Sequence, residues 1–166
     1  MPPVPPRRRQ ARPVADAPID SLLPRVDDLA KGWLLALVED APLARAPAIL
    51  TARLAREAPA LSDAILRAVT GDRALARLKP GGELRSLPAR AGELAGAREP
   101  AEVSRAVEAL RAVLFGALRD ELRGADPELE VLIGERLALI AELVRSAALE
   151  RSARRPAMER PPPAPE

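Results

Sequence analysis

The chain has no histidine, cysteine, tyrosine or asparagine in 166 residues, and only one tryptophan and one phenylalanine. Each absence removes a class of chemistry. Without His or Cys there is no imidazole to carry protons near neutral pH, no thiolate nucleophile, and none of the side chains that hold most zinc and haem sites. Nothing calls for a disulfide-forming compartment, and a reducing cytoplasm is the expected location. Residues 1–13 are rich in Pro and Arg with no apolar run, so they do not read as a secretory leader, and no stretch approaches the ~18 apolar residues of a membrane span. Ser62, Ser104 and Ser146 have no His to activate them, and Lys31 and Lys79, the only lysines, have no visible reason to lose a proton. We therefore assign no catalytic residue, no metal ligand and no cofactor.

What is present is mostly helix former. Ala supplies 34 residues and Leu 26, whereas β-branched residues are sparse, so the class is all-α. Because Ala buries little area, helices must approach closely and Leu must supply the volume. Eleven of the 19 prolines lie between Pro2 and Pro18 or between Pro156 and Pro165, and these ends, 1–18 and 153–166, are expected to be disordered. The other eight punctuate a single bundle of about seven helices over residues 19–152. Charge divides in the same way. Residues 1–18 and 151–166 carry eight Arg against Asp16, Glu159 and Glu166, while 19–150 holds 18 basic and 21 acidic residues.

A first helix is predicted from an N-cap at Ser21 to about Glu39. Leu22, Val26, Leu29, Trp33 and Leu37 form one apolar stripe along it, and Leu23, Ala30, Leu34 and Val38 a second. Short helices are expected over 47–58 and 61–69, then a turn of helix around Leu75 and Leu78. A loop at Lys79-Pro80-Gly81-Gly82 follows, and Ser86 is the expected N-cap of the next helix. Gly81-Gly82 lacks the spacing and the Lys-Ser/Thr of a phosphate-binding loop and reads as a turn. The strongest periodicity comes last. Val103, Val107, Leu110, Leu114, Leu118 and Leu122 predict a helix over 100–123; Gly124 stops it, Asp126-Pro127 starts another, and Leu129, Ile133, Leu137, Ile140, Val144 and Ala147 carry that one to about Glu150. The short connection makes the pair an antiparallel hairpin.

The stripes on the first and last helices are wider than one neighbour needs. Leu22, Val26, Leu29, Leu110, Leu114, Leu132, Ile140 and Leu143 are accordingly the expected surface for a second copy or a partner helix. Covering by the short middle helices explains the same stripes. Trp33, Leu37 and Phe115 are the candidates to line a small apolar ligand pocket, although Trp33 and Phe115 also fit as ordinary core residues. The adjacent acids Asp27-Asp28, Glu39-Asp40 and Asp120-Glu121 point about 100° apart on a helix and make no shared carboxylate site.

The segments Leu29-Ala-Lys-Gly-Trp33-Leu-Leu, Arg90-Ala-Gly-Glu-Leu-Ala-Gly96 and Leu110-Arg-Ala-Val-Leu-Phe-Gly-Ala-Leu-Arg-Asp-Glu-Leu122 resemble the helical N-terminal domains that precede diguanylate cyclase (GGDEF) domains in high-GC, including actinobacterial, bacteria. More distantly, they resemble the N-terminal sensor domains of stressosome co-antagonist proteins. The resemblance covers roughly residues 19–150. It implies a non-enzymatic signal-input or dimerisation module, a homodimer, an output-domain protein as partner, and a globin-like fold without haem. Two other readings stand beside it. One is a monomeric adaptor for a client helix. The other is a DNA- or RNA-binding regulator using Arg7-Arg8-Arg9, Arg12, Arg151, Arg154, Arg155 and Arg160; the net acidity of 19–150 and the lack of base-stacking aromatics weigh against it.

Overall fold

The computed structural model describes residues 11–41, 47, 49 and 51–155, and among these it is all-helical. A short 3-10 turn, Leu23–Arg25, leads into α1 (Val26–Asp40), followed by α2 (Thr51–Thr70), α3 (Asp72–Leu78), α4 (Ser86–Ala89), α5 (Ala91–Leu94), α6 (Pro100–Leu122) and α7 (Pro127–Arg154). The two expected long helices are present at 23 and 28 residues and pack along each other as an antiparallel hairpin. No helix among the described residues is long and apolar enough to cross a membrane.

The hairpin is well specified at its ends. Pro100 occupies the first turn of α6, where its missing N–H costs nothing, and the Glu102 carboxylate accepts from the backbone N–H groups of Arg98 and Glu99 at 2.7 and 3.2 Å. Arg123 and Gly124 turn the chain through left-handed φ values of 51° and 70°. The Asp126 side chain then accepts from the Leu129 N–H at 3.0 Å and caps α7. Replacing Asp126 by Ala should cost about 1 kcal/mol, read from a lower denaturation midpoint with unchanged slope.

α1 runs antiparallel to α6. At one end Arg25 pairs with Glu121 at 3.1 Å; further along, the indole N–H of Trp33 donates to the Ala106 carbonyl at 2.9 Å. α2 closes the other side of α1, and α4 and α5 lie across the second half of α7. The core that results is Leu-rich and reaches into every helix but the small α4, where Pro88 is buried.

Several local expectations differ from the structure, each for a physical reason. The stretch divided at Pro59 into two short helices is one helix, α2, with Pro59 inside it. Leu54, Ala58, Leu61, Ile65 and Ala68 form one uninterrupted buried row across the proline, and burying that row outweighs the ~3 kcal/mol of an interior Pro. The expected start of the earlier helix at Pro47 adjoins 42–46, outside the described residues. Ser21 is not an N-cap: its hydroxyl donates to the Pro18 carbonyl and to Glu121, and α1 begins at Val26 after the 3-10 turn. Ser86 is the first residue of α4, with no side-chain cap.

The packed unit also reaches further than 19–152. Val14 and Ala17 are buried in the core, and the Val14 N–H donates to the Val69 carbonyl at 2.9 Å. At the other end α7 continues to Arg154. The expectation of disorder falls otherwise on residues 1–10 and 156–166, outside the described residues.

Candidate functional site

The structure separates the three residues expected to share a pocket. Trp33 is fully buried, with its indole N–H satisfied by α6, and is a core residue. Phe115 is half-buried on α6, with its ring edge lying over Gly134 of α7. Leu37 lines a cleft of about 390 Å³ between the end of α1 and the start of α6, together with Ala41, Ile49, Ala97, Ala106 and Ala109, with the exposed Glu99 and Arg105 beside them.

The expected partner surface is redistributed too. Leu22, Leu29, Leu110, Leu114 and Ile140 are buried inside the chain and cannot meet a partner unless the core opens. Val26 and Leu143 are half-buried against that core, and Leu132 alone of the eight is an exposed large apolar residue. Ser62 is buried in α2 with its hydroxyl unpaired, and the described residues hold no cluster of three acidic side chains able to grip a metal ion.

The polar feature that sequence reasoning missed is Arg136. Its guanidinium is 1% exposed and uses three donors: Nε to the Ala68 carbonyl at 3.0 Å, Nη1 to the Ala11 carbonyl at 2.9 Å, and Nη2 to the Asp72 carboxylate at 2.9 Å. It joins α7 to the end of α2, the start of α3 and the incoming N-terminal segment. The signal available in the sequence was its spacing, three residues after Ile133 and four before Ile140, which places a charge within an apolar stripe.

A second ionic cluster surrounds Glu93 on α5. Its carboxylate, 13% exposed, takes Arg53 from α2 at 3.0 Å, Arg151 from α7 at 3.2 Å and Arg155 at 3.4 Å. One acid thus answers three guanidinium groups, leaving positive charge in excess at the C-terminal end of α7. Cations there also complement the negative end of the helix dipole.

Beside this cluster two grooves meet at Leu143. One, of about 560 Å³, lies between α3 and α7 with Arg12, Lys79 and Arg136 among its lining. The other, of about 620 Å³, lies between the 78–86 stretch and the last turns of α7 and is lined by Arg85, Arg151, Arg154 and Arg155 over Leu78 and Ala147. The predicted glycine turn borders the second groove, which Gly81 lines. Gly81 has φ +83°, and a Cβ on Gly82 would fall 2.3 Å from the Arg77 carbonyl oxygen, so only glycine lets this turn fold back onto α3.

Several other charged pairs lie along single helices. Asp63 holds Arg67 more strongly protonated, by hydrogen bond and charge, and Arg111 holds the Glu108 carboxyl below its ordinary range through a hydrogen bond of 2.9 Å. A depressed carboxyl adds stability above its unfolded value and loses it as pH falls through the folded one; at an exposed pair this effect is small.

No family model, curated protein or solved structure matches this chain. The sensor-domain resemblance, and the globin-like arrangement it implies, therefore rest on the residues that carry them.

Proposed function

We propose that this chain is a non-catalytic signal-input domain of a bacterial signalling system, working through helix-to-helix contacts with a second copy or an output protein. The observation that carries this reading is what the core leaves outside. Among the described residues, the exposed large apolar ones are Leu35 (62%) and Val38 (44%) on α1, and Val131 (61%) and Leu132 (50%) on α7. These are the two helices whose stripes exceed one neighbour, and unpaired apolar side chains on helix surfaces are the usual anchors of helix-to-helix association. The cleft lined by Leu37, Ala106 and Ala109 gives a small apolar ligand a place between α1 and α6, whose packing would respond to it.

The test is the absolute mass by light scattering after size exclusion, on the full chain, because Val14 and Ala17 belong to the core. The expected result is twice the 17.7 kDa chain mass at micromolar concentration, reduced to one chain by Leu35→Asp with Leu132→Asp. Both residues are exposed, so the variant should keep its helical circular dichroism. A wild-type monomer would remove the homodimer, and a variant that stays dimeric would remove these residues from its interface.

A further inference from the structure

Charge is unevenly distributed among the concave places of the described residues. Asp40, Glu99 and Glu102 line the α1–α6 cleft against Arg105, and in the α3–α7 groove Arg136 and Asp72 answer each other. The groove of about 620 Å³ beside the end of α7 differs from both. Arg85, Arg151, Arg154 and Arg155 line it against one acid, Glu150. Arg151 and Arg155 also reach Glu93, which serves Arg53 as well. Five guanidinium groups thus share two carboxylates, which leaves three positive charges over. Among the described residues Arg154 and Glu150 make no hydrogen bond or ion pair, and Arg155 meets Glu93 at 3.4 Å without a hydrogen bond. Arg85 donates once, to the Gly82 carbonyl at 3.2 Å, which leaves four of its five N–H donors unused. Other unpaired arginines, Arg56 on α2, Arg73 on α3, and Arg119 and Arg123 at the end of α6, are exposed and line neither the cleft nor the two grooves. Convergence in a concavity is what sets this set apart: like charges there repel, and the low-dielectric walls focus their field on whatever enters.

We infer that this groove binds a small phosphate monoester carried on an apolar organic body. The charge selects the anion. A carboxylate brings one negative charge and two oxygens, whereas a phosphate monoester brings about −1.5 to −2 at neutral pH and three acceptor oxygens. Only the second comes close to offsetting an excess of three, and it can engage more than one guanidinium fork at a time, each by two parallel hydrogen bonds. The cations stand on both banks, Arg85 on the 78–86 stretch and Arg151, Arg154 and Arg155 at the end of α7. Ser86 and Ser146, whose hydroxyls have no partner among the described residues, add two more donors to the lining. The apolar lining selects the body. Leu78, Leu143, Ala89 and Ala147 also line the groove, and its volume falls within the ~300–1,000 Å³ of ordinary ligand pockets, more than a phosphate alone would fill. None of Leu35, Val38, Val131 and Leu132 lines it, and the inference does not rest on the input-domain reading.

The experiment is calorimetric titration of the full chain, near neutral pH and at fixed ionic strength, with phenyl phosphate, inorganic phosphate and benzoate. The expected result is saturable binding of one phenyl phosphate per chain. Inorganic phosphate, which lacks the apolar body, and benzoate, which lacks the second charge, should each bind about tenfold more weakly. Arg85→Ala with Arg154→Ala should weaken phenyl phosphate by about tenfold or more while leaving the helical circular dichroism unchanged, because both side chains are exposed. The same charge change away from the groove, Arg56→Ala with Arg119→Ala, should keep the affinity within about twofold of wild type. The inference is overturned if the wild type does not bind phenyl phosphate, or if the two double variants lose affinity equally. Benzoate bound as tightly as phenyl phosphate would overturn the phosphate, and inorganic phosphate bound as tightly would overturn the apolar body. Binding to phosphatidic acid vesicles without binding of phenyl phosphate would overturn the small-molecule site in favour of a lipid headgroup at a membrane surface.

Discussion

Replacing Arg136 by Met should destabilise the fold by about 2–4 kcal/mol, even though it removes a buried charge. Two effects oppose each other. Methionine spares the chain the cost of desolvating a guanidinium, which is why exchanging an entire buried ion pair for apolar residues is often harmless. Here two of the three partners cannot be exchanged with it. They are the main-chain carbonyls of Ala68, which is buried, and Ala11, which is half-buried; leaving a buried carbonyl unpaired costs ~1–3 kcal/mol, and the half-buried one adds less. The third partner behaves differently. Asp72 has a side chain 71% exposed, so its carboxylate rehydrates, and Asp72→Asn should change stability by less than about 1 kcal/mol. The asymmetry is the test. Denaturant unfolding should order the variants as wild type, then Asp72→Asn, then Arg136→Met, and proteolysis within residues 11–18 should accelerate in Arg136→Met because that segment loses its tie to α7. An Arg136→Met variant within about 0.5 kcal/mol of wild type would mean that these carbonyls find water instead.

The contrast between Arg136 and the hairpin that carries it marks what could be read from the sequence. α6 and α7 were legible because the signals agree: apolar spacing, Pro in each first turn, an acidic cap at Asp126 and glycine after the last turn. Where signals conflicted, the local one misled. Pro59 marked a break, and the buried row from Leu54 to Ala68 overrode it, because a proline is local whereas the row is settled by the helices that pack on it. The wide stripes on α1 and α7 posed another problem. Periodicity gives the width of an apolar face but not what covers it, so Leu22, Leu29, Leu110, Leu114 and Ile140 read equally well as interface or interior. Contacts from far along the chain decided for the interior.

The arginines show the same limit in charge. A net balance summed along the chain places Lys79 and Arg85 in an acidic domain and Arg151 and Arg154 at its edge. Only the turn at Gly81 and Gly82, folded back onto α3, brings Arg85 to the groove that Arg151 and Arg154 line, with Lys79 in the neighbouring groove. The glycines were read correctly as a turn; their consequence for charge lies in tertiary placement, which spacing cannot express.

Trp33 gives the second large effect, and its two substitutions separate core from ligand site. Trp33→Ala should cost about 3–5 kcal/mol, the usual range for emptying a fully buried aromatic position, because α1, α2 and α6 cannot close over so large a void. Trp33→Phe should cost only about 1–1.5 kcal/mol. It keeps most of the ring volume and loses the 2.9 Å bond to Ala106, whose carbonyl lies within α6 and keeps its helical partner. A residue that formed a ligand surface would reverse this order: its truncation would spare stability and change ligand affinity. As the sole tryptophan, Trp33 also reports on the core directly in the wild type. Its emission should shift to longer wavelength in one transition that coincides with loss of helical circular dichroism, as expected if α1 and the hairpin unfold together. Emission that shifts well before the helical signal would show that α1 leaves the hairpin first. The α1–α6 contact would then be the weak joint of the bundle, at the place where the cleft beside Leu37 and Ala106 already divides the two helices.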